Sequence, residues 1–124
     1  MVLRVRDSQL DAFRDRRRLD FEARVAAHLA QCFPPVCAAL GPHGVAALVH
    51  TGLERCAAWG ISAERDTVRF VDLMAALGPD FDDGAAYPWA REILSSGVAA
   101  TDRVNALAER AARALAAEAG PSTK

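Results

Sequence analysis

The clearest alternation of apolar and polar positions runs from Ile61 to Gly78. An α-helix completes a turn about every 3.6 residues, so apolar side chains at three- and four-residue steps line up on one face. The apolar positions at these steps are Phe70, Leu73, Met74 and Leu77. Ser62 is suited to cap the start of this helix, and Gly78 to close its end. We predict a central helix over residues 62–78, on which the other segments pack.

The same periodicity predicts a long first helix from Ser8 to the pair Pro34-Pro35, which cannot continue the backbone hydrogen-bond ladder. The residues that mark it at three- and four-residue steps are Leu10, Phe13, Arg17, Phe21, Val25, Leu29 and Cys32. Arginines elsewhere on this helix alternate with acidic residues at three- and four-residue steps. This pattern favours a solvated helix face whose charges pair with one another.

Glycine and proline mark the limits of the next helix. Pro42 suits its first position, Gly41 ends a short turn before it, and the helix reaches Gly60. Glycine inside a helix costs about 1 kcal/mol relative to alanine, so we expect another helix to approach closely at Gly52. Residues 59–62 predict a sharp corner into the central helix.

A polar, loop-like stretch runs from Pro79 to Gly84, directly after the central helix. It is followed by a short helix over residues 90–95 and a last helix capped by Thr101. The inward positions of the last helix are Val104, Leu107, Ala111 and Leu115.

Together these elements predict an all-α fold, a single compact bundle of five to six helices in one domain over residues 1–124. We expect residues 1–7 to form an extended arm and residues 119–124 a frayed tail. The composition agrees, since alanine, leucine and arginine dominate while β-branched and aromatic residues are few. A chain of 124 residues is long enough to bury one core.

The overall charge and the cysteine content indicate which kinds of molecule the protein binds and which cellular compartment it occupies. The net charge of -1 argues against a nucleic-acid-binding protein, which needs an excess of lysine and arginine. The N-terminus lacks the continuous apolar core of a signal peptide, and no apolar run reaches the roughly 20 residues that span a bilayer. Three cysteines without paired spacing favour a reducing compartment. We therefore expect a cytoplasmic protein that binds neither nucleic acid nor membrane.

Several groups of residues resemble metal-binding or reactive sites but lack essential parts of them. His28 and Cys32 lie one helical turn apart with Cys37 nearby, but zinc needs a fourth ligand at a workable spacing. Asp80-x-Asp82-x-Gly84 begins like a calcium loop, yet it lacks the third oxygen ligand and the closing bidentate glutamate. The histidines and cysteines carry no catalytic signature. We expect no metal, no cofactor and no catalytic residue, and hence a protein that is not an enzyme.

Three of the eight aromatic residues, Trp59, Tyr87 and Trp89, lie at helix ends or in loops. Tyrosine and tryptophan are over-represented at protein interfaces, although the same residues also close the ends of small helical cores. With the acidic loop they form a predicted partner-binding surface, called the predicted surface below. Its members are Trp59, Asp80, Phe81, Asp82, Asp83, Tyr87 and Trp89.

Four runs of residues resemble the sequences of a known protein family. They are Leu53-Glu-Arg-Cys-Ala-Ala-Trp-Gly-Ile-Ser-Ala-Glu-Arg-Asp66, Phe70-Val-Asp-Leu-Met74, Leu77-Gly-Pro-Asp-Phe-Asp82 and Pro88-Trp89-Ala90. From Ser8 to the last helix, the chain resembles a family of small, uncharacterised all-helical bacterial proteins encoded beside type VI secretion spike or effector genes. The resemblance implies an accessory role and assigns no catalytic residue.

We therefore expect a non-enzymatic protein-binding module, a cytoplasmic adaptor or chaperone for a secreted effector or a secretion spike. Two alternatives stay open: an immunity protein that neutralises a toxin through the same acidic surface, and a helical bundle that binds a small ligand. A homodimer is also possible, because the alanine-rich last helix allows close packing on a second copy as well as within the monomer. The alanines concerned are Ala108, Ala111 and Ala112.

Overall fold

The computed structural model describes the backbone of residues 2–119 and the side chains of residues 9–118. It contains the five helices α1 (Val2–Cys32), α2 (Pro34–Ala58), α3 (Glu64–Leu77), α4 (Pro88–Leu94) and α5 (Ala100–Ala119). None of the described residues forms a strand. The all-α prediction is confirmed, and the number of helices is the lower of the two expected.

The chain divides into two compact units, Met1–Val49 and His50–Lys124, and α2 runs across the boundary between them. The single-domain organisation stays a prediction. The predicted frayed tail lies outside the described residues except for Ala119, the last residue of α5.

In the first unit, α1 begins at Val2, so the predicted extended arm is helical from its second residue onward. No glycine or proline occurs before Ser8, so nothing in this stretch interrupts a helix. The helix ends at Cys32, as the following two prolines require. Its buried side chains follow four-residue steps, as expected for one helical face: Phe21, Val25 and Leu29.

A kink at Gly41 divides α2. The φ of 72° and ψ of 169° at this residue are not helical, and a positive φ is readily adopted only by glycine. A second helical segment starts at Pro42, as predicted, because proline lacks the N–H that the first turn leaves unpaired. The buried side chains of this segment in the first unit are Val45, Leu48 and Val49.

By length and composition alone, α2 is long and apolar enough to cross a membrane. The core helix of a soluble protein passes the same test. The kink leaves residues 42–58 as the longer segment, which rises about 26 Å and falls short of the roughly 30 Å of a hydrocarbon core. The expectation that the protein binds no membrane stays a prediction.

In the second unit, α2 ends in the predicted tight corner. Gly60 has φ 77°, and its N–H donates to the Ala57 carbonyl at 3.1 Å. The N–H of Ile61 donates to the Cys56 carbonyl at 2.8 Å. These two bonds form a Schellman motif, which pairs the carbonyls that the end of a helix leaves free, and buried Ile61 supplies its apolar contact.

The start of α3 differs from the prediction. Its N-cap is Ala63 rather than Ser62, and no side chain caps it. The Ala63 carbonyl accepts the first helical bond, from the N–H of Thr67 at 2.9 Å, and also the Thr67 hydroxyl at 3.0 Å. At the other end, the N–H of Gly78 donates to the Met74 carbonyl, so the helix spans Glu64–Leu77 within the predicted 62–78.

The core of the second unit is made where α5 packs against both α3 and α4. The side chains at 0–1% exposure there include Phe70, Val71, Met74, Val104 and Leu107. The predicted close approach at Gly52 is confirmed, because a Cβ added there would lie 2.6 Å from Val71 Cγ2 and 3.1 Å from Met74 Sδ. Only a residue without a side chain lets α2 pass α3 at this distance.

Candidate functional site

The loop after α3 is held by a cluster of hydrogen bonds that we call the clasp, formed by Arg55, Trp59, Asp80 and Asp82. The Asp82 carboxylate is only 3% exposed and accepts hydrogen bonds from the Arg55 guanidinium and from Trp59 Nε1, the latter at 2.9 Å. Arg55 also donates to Asp80 Oδ1 at 2.7 Å and to the Pro79 carbonyl at 3.1 Å. One guanidinium therefore binds three groups of the loop.

The clasp follows from the geometry of α2. Arg55 and Trp59 are four residues apart at the end of this helix, so their side chains point to the same side. Burial alone would lower the pKa of Arg55, but hydrogen bonds to Asp80 and Asp82 outweigh that effect and raise it above its ordinary value. The arginine therefore stays charged, and its positive charge stabilises the buried carboxylate of Asp82.

An apolar anchor fixes the same loop from inside. Phe81 is 3% exposed, and its ring centroid lies 5.1 Å from that of Phe70 on α3. After buried Phe81 and Asp82 the backbone turns. The N–H groups of Asp83 and Gly84 both donate to the Asp80 carbonyl, at 3.1 Å and 2.7 Å. The loop is thus held by side chains on α2 and α3 and by its own backbone.

The outer side of the loop carries acidic and aromatic groups. The Asp83 carboxylate is 67% exposed and lies 3.1 Å from the Arg91 guanidinium on α4. Half-buried Tyr87 and Trp89 meet edge to face, with ring centroids 5.6 Å apart. The Arg110 guanidinium of α5 lies 5.0 Å from the centroid of the Trp89 ring. Asp83 thus contacts α4 through Arg91, while the aromatic pair lies at the N-terminal end of α4 and contacts α5.

The structure divides the predicted surface into two groups. Trp59, Asp80 and Asp82 join in the clasp, and Phe81 is buried against α3. Asp83, Tyr87 and Trp89 remain accessible near α4. Because Phe81 and Asp82 are buried, they face the inside of the unit and anchor the loop rather than forming its outer face.

Open depressions border the loop on both sides. The first lies beside α4 and is lined by Asp83, Gly84, Ala85, Pro88, Arg91, Glu92 and Ser95. The second lies beside the clasp and is lined by Arg55, Ala58, Trp59, Asp82 and Asp83. Asp83 lines both depressions.

Sequence reasoning missed the contribution of Arg103. Its Nη1 donates to the carbonyls of Trp59 and Leu94, at 2.9 Å and 3.1 Å, and its Nε donates to the Val98 carbonyl at 3.1 Å. These carbonyls lie at the C-terminal ends of α2 and α4 and in the loop before α5. A cation is favourable there, because helix C-termini carry partial negative charge and unpaired carbonyls.

A hydrogen bond between side chains joins α3 to α5 at Asp66. Thr101, predicted to cap α5, donates its hydroxyl to the buried Asp66 carboxylate at 2.7 Å. Arg69 on α3 donates to the side-chain oxygen of Asn105 on α5. Both contacts join α3 to α5.

The cysteines have different surroundings. Burial raises the pKa of the Cys56 thiol to about 12, while a hydrogen bond with Thr67 opposes the increase. Cys32 is exposed, and its sulfur lies 3.7 Å from Nδ1 of His28. Among the residues that the structure describes, no three histidine, cysteine or acidic side chains are placed to hold a metal ion. The expected absence of a metal and of a cofactor stays a prediction.

The clasp, the exposed Asp83 and the aromatic pair at the start of α4 are the candidate binding features of the second unit. No protein-family model, curated protein or solved structure matches this chain.

Proposed function

We propose that this chain is a non-enzymatic protein-binding module, a cytoplasmic adaptor or chaperone for a secreted effector or a secretion spike. The observation that carries the proposal is a loop anchored from inside whose acidic groups Asp80 and Asp83 are exposed, followed by two half-buried aromatic residues at the start of α4. These groups, which we call the outer face, are Asp80, Asp83, Tyr87 and Trp89.

Anchoring of the loop supports a binding role. Ordering a mobile loop during association costs free energy, and a loop already held by the clasp and by Phe81 avoids most of that cost. Tyr87 and Trp89 add large rings with polar atoms, the combination enriched among residues that contribute most to interface affinity. The contact with Arg110 holds the Trp89 ring in place.

The charge of the outer face indicates the chemistry of the partner. Within residues 80–92 the exposed charged side chains are three acids, Asp80, Asp83 and Glu92, and one arginine, Arg91, whereas the fourth acid, Asp82, is buried in the clasp. This excess fits a partner that presents lysine or arginine around an apolar contact, and complementary charge accelerates such an association. An immunity protein facing a basic toxin would use the same chemistry, so the identity of the partner distinguishes the two functions.

We also propose α3 as the central helix of this module, because it contacts the loop after it, α5 and α2. Phe70 supports Phe81 in the loop, and Asp66 accepts the hydroxyl of Thr101 on α5. Val71 lies against α2 at Gly52.

Affinity purification of the tagged chain from its native host at low salt, with mass spectrometry of bound proteins, tests the proposal. We expect one stoichiometric secreted effector or spike protein, lost with Asp83→Arg and with Trp89→Ala. Glu109→Arg is the matched control for charge, because it makes the same reversal at an exposed position of α5.

Three results would count against the adaptor. A toxin domain whose growth inhibition is relieved by co-expression would favour the immunity protein. Recovery of the chain alone, or a partner retained equally by Asp83→Arg and Trp89→Ala, would contradict binding through the outer face.

A further inference from the structure

The depression beside α4, which we call the α4 depression, has both apolar and charged groups in its lining. Its volume is about 460 Å³, and the lining lies entirely within residues 83–95. Pro88, Arg91 and Ser95 follow three- and four-residue steps along the helix, so they share one of its faces. Ala85 and Pro88 add apolar surface. A long side chain with an apolar stem and a charged end suits such a lining.

The Arg91 guanidinium has a weak hold on its partner. Among the described residues, one hydrogen bond joins it to another side chain, from Nη1 to Oδ1 of Asp83 at 3.1 Å. The two side chains are 68% and 67% exposed. Ion pairs as exposed as this one contribute little free energy, because water solvates both charges. Another cation can therefore take the place of Arg91.

The acids of the loop differ in how firmly their partners hold them. Asp80 and Asp82 share Arg55, whose side chain is 28% exposed and which also donates to the Pro79 carbonyl. Asp83 has only the exposed Arg91 as its ionic partner. Of the three acids, Asp83 is thus the one that can exchange its cation without loosening the clasp.

Glu92 brings a second carboxylate to the α4 depression. Its side chain is exposed, and no hydrogen bond or ion pair joins it to another residue that the structure describes. Together Glu92 and Asp83 outnumber Arg91 in the lining by two charges to one. This balance favours a cation over an anion as the group that binds there.

We propose that the α4 depression receives a lysine or arginine side chain of the partner, which displaces Arg91 and binds Asp83 and Glu92. This inference rests on the proposed adaptor function and names one contact that the partner makes. The stem of the incoming side chain lies on Ala85 and Pro88. In the free chain Arg91 occupies the position of that cation, so it competes with the partner and limits its affinity.

A short peptide tests the exchange without a partner protein. The isotope-labelled full chain is titrated with Ac-Ala-Arg-Ala-NH2 at constant ionic strength and followed by chemical shifts. Two exposed carboxylates and a single cation suggest a dissociation constant on the order of 10 mM, so the titration extends to about 100 mM. We expect saturable shifts at the amides of Asp83 and Glu92 and at the Nε–H of Arg91. The uncharged Ac-Ala-Gln-Ala-NH2 should produce none.

Competition predicts that removing an arginine strengthens binding of the arginine peptide. Arg91→Gln keeps most of the stem and removes the charge, so we expect about threefold tighter binding. Arg113→Gln, the same change at an exposed position of α5, should bind within about 1.5-fold of wild type. Asp83→Asn and Glu92→Gln should each weaken binding about threefold. In the Asp83→Asn background, Arg91→Gln should give no gain, because the two residues act on one contact.

Unchanged or weaker binding by Arg91→Gln, or equal shifts with the glutamine peptide, would overturn the proposal. An equal gain with Arg113→Gln would also overturn it, since the effect would then come from net charge. Amide spectra of the variants check that the fold is retained. A negative titration removes the exchange at Asp83 and leaves the adaptor function standing. Recovery of the chain alone in the affinity purification removes the adaptor function, whatever the peptide does.

Discussion

Asp82 is the residue on which the position of the loop after α3 depends. Its buried carboxylate accepts hydrogen bonds from Arg55 and Trp59, two side chains at the end of α2. A buried charge is tolerated only with such partners. Asparagine at this position keeps one acceptor oxygen and replaces the other with an NH2 donor, so Arg55 or Trp59 loses its acceptor, and Asp80 is the remaining ionic partner of Arg55.

Asp82→Asn tests this dependence at constant side-chain shape. We expect the free energy of unfolding to fall by about 2 kcal/mol, less than the roughly 3–5 kcal/mol for a fully buried pair, because Arg55 keeps its contact with Asp80. Urea unfolding followed by circular dichroism measures the change. The matched control is Asp83→Asn at an exposed carboxylate, with an expected change below about 0.5 kcal/mol. Equal losses in the two variants would contradict the clasp.

Cys56 gives the stability a specific dependence on alkaline pH. Burial raises the pKa of its thiol from the ordinary 9.0 to about 12, so above pH 9 the unfolded chain loses the proton while the folded chain keeps it. The stabilising effect is therefore complete below pH 9 and decreases as the pH rises toward 12.

A comparison with Cys56→Ala isolates this thiol. Between pH 8 and pH 10 the wild type should lose about 1.4 kcal/mol more free energy of unfolding than Cys56→Ala. Urea unfolding at each pH provides the values. Parallel decreases in the two proteins would show that the thiol ionises equally in the folded and unfolded states.

At the scale of elements, Gly52 sets the distance between α2 and α3. Gly52→Ala places a methyl group 2.6 Å from Val71 Cγ2, so we expect a net loss of about 1–2 kcal/mol, although alanine favours a helix. Gly97→Ala is the control, since a Cβ there meets nothing within 4 Å. Thermal unfolding of both variants measures the effect. An increase in stability with Gly52→Ala would show that the helices can separate at little cost.

Arg103 joins the C-terminal ends of α2 and α4 through three backbone carbonyls. Arg103→Met keeps most of the apolar stem and removes these bonds, so we expect a loss of about 2 kcal/mol in the free energy of unfolding. Arg113→Met, at an exposed arginine on the same helix, should change it by less than about 0.5 kcal/mol. Urea unfolding distinguishes the two, and a similar small change in both would contradict the capping role.

The sequence predicts the helices well and their caps poorly. Apolar periodicity predicts where the helices run, and Pro34, Gly41 and Gly60 predict where they are interrupted or end. Each of these signals acts over only a few residues, so it can be recognised in the sequence. Ser62 and Thr101 are good capping residues by type, but helix α3 starts after Ala63, and the Thr101 hydroxyl donates to Asp66, 35 residues away. Such a distant acceptor cannot be identified from local pattern.

The candidate site shows the same limit at the scale of the whole molecule. The sequence identifies the acidic loop and the aromatic residues at helix ends or in loops, but it does not show which of these side chains are buried. The burial of Asp82 depends on Arg55, 27 residues earlier in the chain, and the place of Trp89 depends on Arg110. The spacing of Arg55 and Trp59 by one helical turn was the available signal for the clasp.

The measurement that most directly tests the central claim is the affinity of the purified partner for wild type and variants by calorimetry. We expect Trp89→Ala to weaken binding by about 30-fold or more and Asp83→Arg by about tenfold, while Glu109→Arg leaves it unchanged. Circular dichroism and unfolding of each variant confirm that the fold is intact. Unchanged affinity in folded Trp89→Ala and Asp83→Arg would contradict the claim that the outer face binds the partner.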